Sequence, residues 1–133
     1  MNLLNRDTDY AVRALCEMAR RPDDRVTVSE LCPLLKVPRP YLRRILQVLA
    51  RAGILVSFRG KGGGFRLNRT PAAIPLTEVI ECFQGPFNLA ECLFNGHPCP
   101  NCATCPLRKT LKAIERDAAK KLRQTTIASL VAR

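Results

Sequence analysis

Apolar residues recur at intervals of three and four through most of this 133-residue chain, and prolines and glycines interrupt the pattern at clear points. Val12, Leu15, Cys16 and Ala19 mark a first helix, with Thr8 or Asp9 placed to cap it and Pro22-Asp23-Asp24 beyond its end. Thr27-Val28-Ser29-Glu30 has the form of a capping box and opens a short helix through Leu31, Leu34 and Leu35. After a break at Val37-Pro38, Pro40 suits the first position of a third helix. Leu42, Ile45, Leu46 and Leu49 repeat the spacing there, and Gly53 closes it.

The period then changes. Ile54-Leu55-Val56-Ser57-Phe58 and Phe65-Arg66-Leu67 flank the glycine-rich Arg59-Gly60-Lys61-Gly62-Gly63-Gly64, which reads as a β-hairpin. A short helix from Thr77 to Gln84 follows, stopped by Gly85-Pro86. From Pro106 to about Val131 nothing breaks a helix, and Leu107, Leu111, Ile114, Ala118, Leu122 and Thr125 form one stripe. At 1.5 Å per residue such a helix is roughly 39 Å long, more than a small domain can cover, so its seam predicts a second copy and a homodimer. Two short helices joined by a tight turn and followed by a hairpin describe a winged helix-turn-helix. The predicted fold is mainly α with a small β-hairpin wing. Its DNA-binding domain spans 1–75, and 76–133 carries the short helix, a loop at about 86–105 and the long dimerisation helix at about 106–131.

Charge gives that outline a partner. Twenty-two Lys and Arg against eleven acids leave a formal +11. From Leu31 to Thr77 there is no carboxylate, while Lys36, Arg39, Arg43, Arg44, Arg51, Arg59, Lys61, Arg66 and Arg69 all fall there. Ordinary surfaces mix both signs, and a field of one sign suits the phosphates of double-stranded DNA. Off the apolar stripe of the third helix lie Arg39, Tyr41, Arg43, Arg44 and Gln47. Arginine reads guanine and glutamine reads adenine in the major groove, and Arg59 and Lys61 at the hairpin tip suit a minor groove. The glycines match no nucleotide-binding loop, since the Lys-Ser/Thr of a Walker sequence is missing.

Seven cysteines add a second chemistry. Four stand within fourteen residues, as Cys92-x6-Cys99-x2-Cys102-x2-Cys105, among Gly96, His97, Pro98, Pro100 and Pro106, a composition expected to form neither helix nor strand. Thiolates this close on a loop can converge on a metal or an iron–sulfur cluster. With no apolar run suited to a signal peptide or a membrane span, a cytoplasmic protein with reduced thiols is expected, and an odd cysteine count fits that better than a disulfide framework. Cys16, Cys32 and Cys82 sit on apolar helix faces and read as core residues.

Taken in order, these segments resemble the Rrf2 family of bacterial winged-helix regulators over almost the whole chain. The resemblance rests on Thr8-Asp9-Tyr10-Ala11-Val12-Arg13-Ala14-Leu15, Pro40-Tyr41-Leu42-Arg43-Arg44-Ile45-Leu46, and Ala52-Gly53-Ile54-Leu55. To these are added the hairpin from Arg59 to Leu67, Glu78-Val79-Ile80-Glu81, and Cys92-x6-Cys99-x5-Cys105-Pro106-Leu107. It implies a homodimer on a palindromic operator, and a [2Fe-2S] or [4Fe-4S] cluster held by Cys92, Cys99 and Cys105 that controls operator affinity. In some members a carboxylate near the start of the first helix, given by the partner subunit, completes the ligand set. Asp9 stands at that place, where it can equally cap the helix. Other members use a histidine soon after the third cysteine, but Leu107, Arg108 and Lys109 occupy those positions here. His97, the only histidine, and Cys102, which the three-cysteine pattern does not need, are the other candidates.

The expectation is therefore a cluster-controlled DNA-binding regulator, most simply a repressor. Zinc on Cys-x2-Cys with a further cysteine and His97, or a thiol redox switch, keeps the fold and changes the site. A small iron–sulfur electron carrier is the alternative from another class, and it leaves the basic helix-turn-helix without a purpose. One histidine and no nucleophile motif argue against an enzyme.

Overall fold

The computed structural model describes residues 2–89, 93, 94, 97, 98, 100, 101 and 103–132, with the backbone alone at 93, 94, 97 and 98. Helices α1 (Arg6–Ala19), α2 (Val28–Leu35) and α3 (Arg39–Arg51) precede an antiparallel hairpin of β1 (Leu55–Phe58) and β2 (Gly64–Leu67). Helix α4 (Leu76–Gln84) follows, then a two-residue antiparallel rung of β3 (Leu93–Phe94) and β4 (His97–Pro98), and helices α5 (Pro106–Gln124) and α6 (Ile127–Val131).

Helix α1 is the hub, packed by α3, α4, α6 and β2. Its centre line is Ala11, Ala14, Leu15 and Met18, each at most 1% exposed, with Val12, Cys16 and Ala19 at the margins. The stripe is thus turned from the expected one, because the two alanines let neighbouring helices approach closely. Its cap also differs. Asn5, not Thr8 or Asp9, accepts the Thr8 backbone N–H, and Thr8 lies within the first turn of the helix, fully buried. Asp9 sits in the first turn, half-exposed and paired with Arg13 at 3.0 Å.

The capping box of α2 forms in part. The Glu30 backbone N–H donates to Thr27 Oγ1 at 3.1 Å, while the Glu30 carboxylate takes the Thr27 hydroxyl and the Arg21 guanidinium. Arg21 holds the Glu30 carboxyl below its ordinary range. Helix α3 buries Leu42, Ile45, Leu46 and Leu49, each contributing roughly 1.5–3 kcal/mol of apolar transfer. It ends in a Schellman turn: Gly53, at φ +81°, donates to the Ala50 carbonyl and Ile54 to that of Leu49.

In the hairpin, Leu55 pairs with Leu67 and Phe58 with Gly64. Val26 adds a third rung by exchanging backbone hydrogen bonds with Phe65 at 2.7 and 2.8 Å. Glycine is required at 64, where φ is +134° and a Cβ would stand 2.7 Å from the Val26 carbonyl oxygen. Bidentate pairing of Arg69 with Glu78, at 2.9 and 2.5 Å, ties the foot of the hairpin to α4.

Two expectations fail beyond α4. The single helix expected over about 106–131 is two, because Thr125 is extended and Thr126 starts α6 with its own capping box to Ser129. The break lets Leu76 donate to the Thr125 carbonyl at 2.8 Å and Ile127 to that of Ile74 at 3.0 Å, and it buries Ile127 completely. The cysteine loop, expected to lack strands, carries the β3–β4 rung. Asn95-Gly96, the dipeptide that two-residue hairpins favour, lies between its halves in the sequence.

Candidate nucleic-acid interface

Helix α3 and the hairpin enclose an open cleft, floored by the first turn of α2. Arg39, Arg43 and Gln47 are spaced by four along α3, on the side away from its buried leucines, and all three line the cleft. Arg59 faces them from the hairpin. Lys61 is exposed in the turn between Gly60 and Gly62, both with φ near +75°, and stands outside the cleft. Sequence reasoning missed three contributors. Arg51 continues the Arg39–Arg43–Gln47 row by the same spacing, Ser29 presents the α2 N-terminus, and Arg25 braces the wing. The Arg25 guanidinium donates to the Gly62 carbonyl at 3.0 Å and lies 3.8 Å from the centre of the Phe58 ring, whose neighbour Arg66 is at 5.2 Å.

Tyr41 and Arg44 are not brought into the cleft. They face the start of α1, where the Tyr41 phenol donates to the Asp7 carboxylate and Arg44 pairs with Asp7 at 3.8 Å. Partial desolvation, reinforced by the hydrogen bond to Asp7, raises the Tyr41 pKa. The acid-free run of sequence thus divides in space. Arg44, Arg66 and Arg69 make their contacts outside the cleft, Arg44 with its side chain still 63% exposed, while Arg39, Arg43, Arg51 and Arg59 converge on one concavity that no described carboxylate lines.

The cysteine side is described at its edges. Cys105 is half-buried at the N-cap of α5, ahead of Pro106 in the first turn. Cys92, Cys99 and Cys102 lie outside the described residues, and of His97 only the backbone is described. Among the described residues no group of three His, Cys, Asp or Glu could hold a metal. The approach to the loop from α4 rests on α5: Glu115 accepts the Leu89 backbone N–H at 3.0 Å, which holds its carboxyl below the ordinary range, and Lys112 reaches Asn88 at 3.4 Å. Cys16, Cys32 and Cys82 are half-buried against the core as expected, and burial pushes the Cys16 and Cys82 thiols up. On α5, Leu107 is 66% and Ile114 50% exposed, with Leu111 between them and Ala118 beyond them half-buried.

A helix-turn-helix whose reading helix and wing close an arginine-lined cleft defines a winged-helix DNA-binding protein. The chain belongs to the Rrf2 family, described as iron-dependent transcriptional regulators, whose sequence profile matches residues 4–133. It is 34% identical over 97 residues, 73% of its own length and 67% of the relative's, to a protein of Aquifex aeolicus (strain VF5) assigned as an HTH-type transcriptional regulator. The structure of CymR (YrzC), the global cysteine regulator of B. subtilis, superposes with a TM-score of 0.81 at 25% identity, over 99% of this chain and 98% of that one. IscR of T. potens superposes with a TM-score of 0.76 at 20% identity, over 97% and 85%. The chain is a DNA-binding transcriptional regulator and not an enzyme, and no described helix is long and apolar enough to cross a membrane.

Proposed function

We propose that the protein acts as a homodimeric repressor on a palindromic operator, and that an iron–sulfur cluster on Cys92, Cys99 and Cys105 sets its affinity. Arg39, Arg43, Gln47 and Arg51 occupy the major groove in this reading, and Arg59 and Lys61 the minor groove beside it. The apolar face of Leu107, Leu111, Ile114 and Ala118, with Leu107 and Ile114 exposed, supports a second copy packed along α5. The DNA-binding unit is 1–75, and 76–133 joins cluster loop to dimer helix.

The observation that carries the cluster reading is where the thiols are rooted. Cys105 stands at the N-cap position of α5, whose helix dipole favours an anionic centre at that end. Leu93 and Pro98, the sequence neighbours of Cys92 and Cys99, are paired within one strand spacing, about 5 Å. An all-thiolate set of this kind suits an iron–sulfur cluster, and equally a zinc ion. When bound, a cluster supplies redox- and iron-dependent occupancy of the loop. The chain's part is to hold the start of the loop on α5 through Glu115 and Lys112, while its other end runs into α5 at Cys105, so that the loop and the dimer helix move together. Asp9, His97 and Cys102 are the candidates for a fourth ligand, and Asp9 must leave Arg13 to serve.

The test is anaerobic purification with visible spectroscopy, iron, sulfide and zinc analysis, and binding to a duplex recovered by selection from a random-sequence library. Coloured protein with iron and sulfide, abolished in Cys92→Ala, is expected, with unequal affinities for the loaded and stripped forms. Protein that stays colourless and iron-free after reconstitution ends the cluster reading, and stoichiometric zinc in it assigns the site to zinc. Equal affinities end the control.

A further inference from the structure

The first turn of α1 lies outside the cleft and is gripped from two directions. Toward α3, Asp7 takes the Tyr41 phenol and pairs with Arg44. The Tyr10 ring meets Tyr41 edge-on, with centroids 5.8 Å apart at 85°, and the Arg44 guanidinium lies 5.1 Å from the same ring. Toward α4, Gln84 Oε1 accepts from the Asn5 backbone N–H at 2.8 Å and stands 2.7 Å from the buried Thr8 hydroxyl, while its Nε2 donates to the Leu3 carbonyl at 3.1 Å. Asn5 and Thr8 are thereby fixed to the end of α4, and Asp7 between them is fixed to α3.

We propose that Asp7 is a positioning residue for DNA recognition: anchored by Gln84 through Asn5 and Thr8, it uses Tyr41 and Arg44 as handles that set the angle at which α3 presents Arg39, Arg43 and Gln47. The handles sit in the first half of α3, the end that enters the groove, so a small tilt there displaces Arg39 and Arg43 most. The hydrophobic contacts of Leu42, Ile45, Leu46 and Leu49 fix depth but not rotation, because apolar attraction has no direction. The hydrogen bond of Tyr41 to a carboxylate does have one. The proposal stands on the DNA-binding assignment alone, whatever the cysteine loop holds.

The two roles open to a carboxylate here have opposite signs. If Asp7 acted only as a negative charge near a DNA face, removing it would tighten binding to every duplex. If it positions α3, removing it weakens binding to the selected duplex while affinity for a random duplex holds or rises. In full-length protein, Asp7→Ala and Tyr41→Phe should each lower the selected-to-random affinity ratio about tenfold, the scale of one charge-assisted hydrogen bond. The double variant should be no worse than either single one, since both remove the same contact. Asp7→Asn keeps an acceptor for the phenol and should recover most of the ratio. Gln84→Ala, which removes no group from the cleft, should lower it about threefold by loosening the anchor. The salt slope should stay at its wild-type value in Tyr41→Phe, because no phosphate contact is lost. All variants are compared below their melting temperatures. A general loss of stability moves the melting point without changing the ratio, and that result overturns the proposal. So do tighter binding by Asp7→Ala, additive losses in the double variant, or no recovery in Asp7→Asn.

Discussion

Replacing Arg59 by alanine isolates the electrostatic share of wing binding. The side chain is exposed at the rim of the cleft, so its loss opens no cavity and fold stability should change by less than about 0.5 kcal/mol. Each neutralised phosphate contributes about 0.9 to the slope of log K against log salt. In the proposed dimer, with one wing per protomer, two contacts are lost and the slope falls by about 1.8. Between about 50 and 200 mM salt that difference amounts to roughly 12-fold in relative affinity. Fluorescence anisotropy on the selected duplex and on a random one, across that salt range, measures it. Both duplexes should lose affinity alike, since a phosphate contact is blind to sequence. Parallel log–log lines for the variant and the parent would refute a phosphate contact by Arg59. A loss confined to the selected duplex would place it on a base edge instead.

Ile127→Ala should destabilise the protein by about 2–5 kcal/mol in chemical denaturation, because Ile127 is fully buried and α6 closes over α1. A cost below about 1 kcal/mol would show that α6 is not part of the core. Burial raises the Cys16 and Cys82 thiol pKa values, so fewer thiolates are present at any given pH. Their alkylation at about pH 8 should therefore be slower than that of a free thiol, and should accelerate as pH rises. Peptide mass spectrometry follows both sites, and reaction at the free-thiol rate contradicts the burial.

Periodicity and punctuation were enough to place the first four helices and the wing, because leucines at 42, 45, 46 and 49 and the glycines from 60 to 64 leave little choice. Which charges share the cleft was only half legible. Spacing by four groups Arg39, Arg43, Gln47 and Arg51, but Tyr41 and Arg44 look equally suited to the cleft until both are seen to turn toward Asp7 at the start of α1. That contact joins residues 34 apart in sequence, and no local pattern announces it. The cap at Asn5 was missed for a similar reason, since Thr8 and Asp9 are good cappers and only tertiary contact with Gln84 draws Thr8 inside. The break at Thr125 did have a local signal, the Thr126-x-x-Ser129 box, which a continuous apolar stripe outweighed. Asn95-Gly96 was a second such signal, hidden within a segment read only for its thiols.

That break changes the mechanics of α5. Its C-terminal end is pinned by hydrogen bonds from Leu76 to Thr125 and from Ile127 to Ile74, on the strand-like lead into α4. Its other end carries Cys105, and the 19 residues between measure about 28 Å. A helix held this way is a lever whose pivot lies beside the DNA-binding core. A rotation of about 5° at the pivot sweeps the cysteine end through about 2.5 Å, the greatest travel anywhere along that rod.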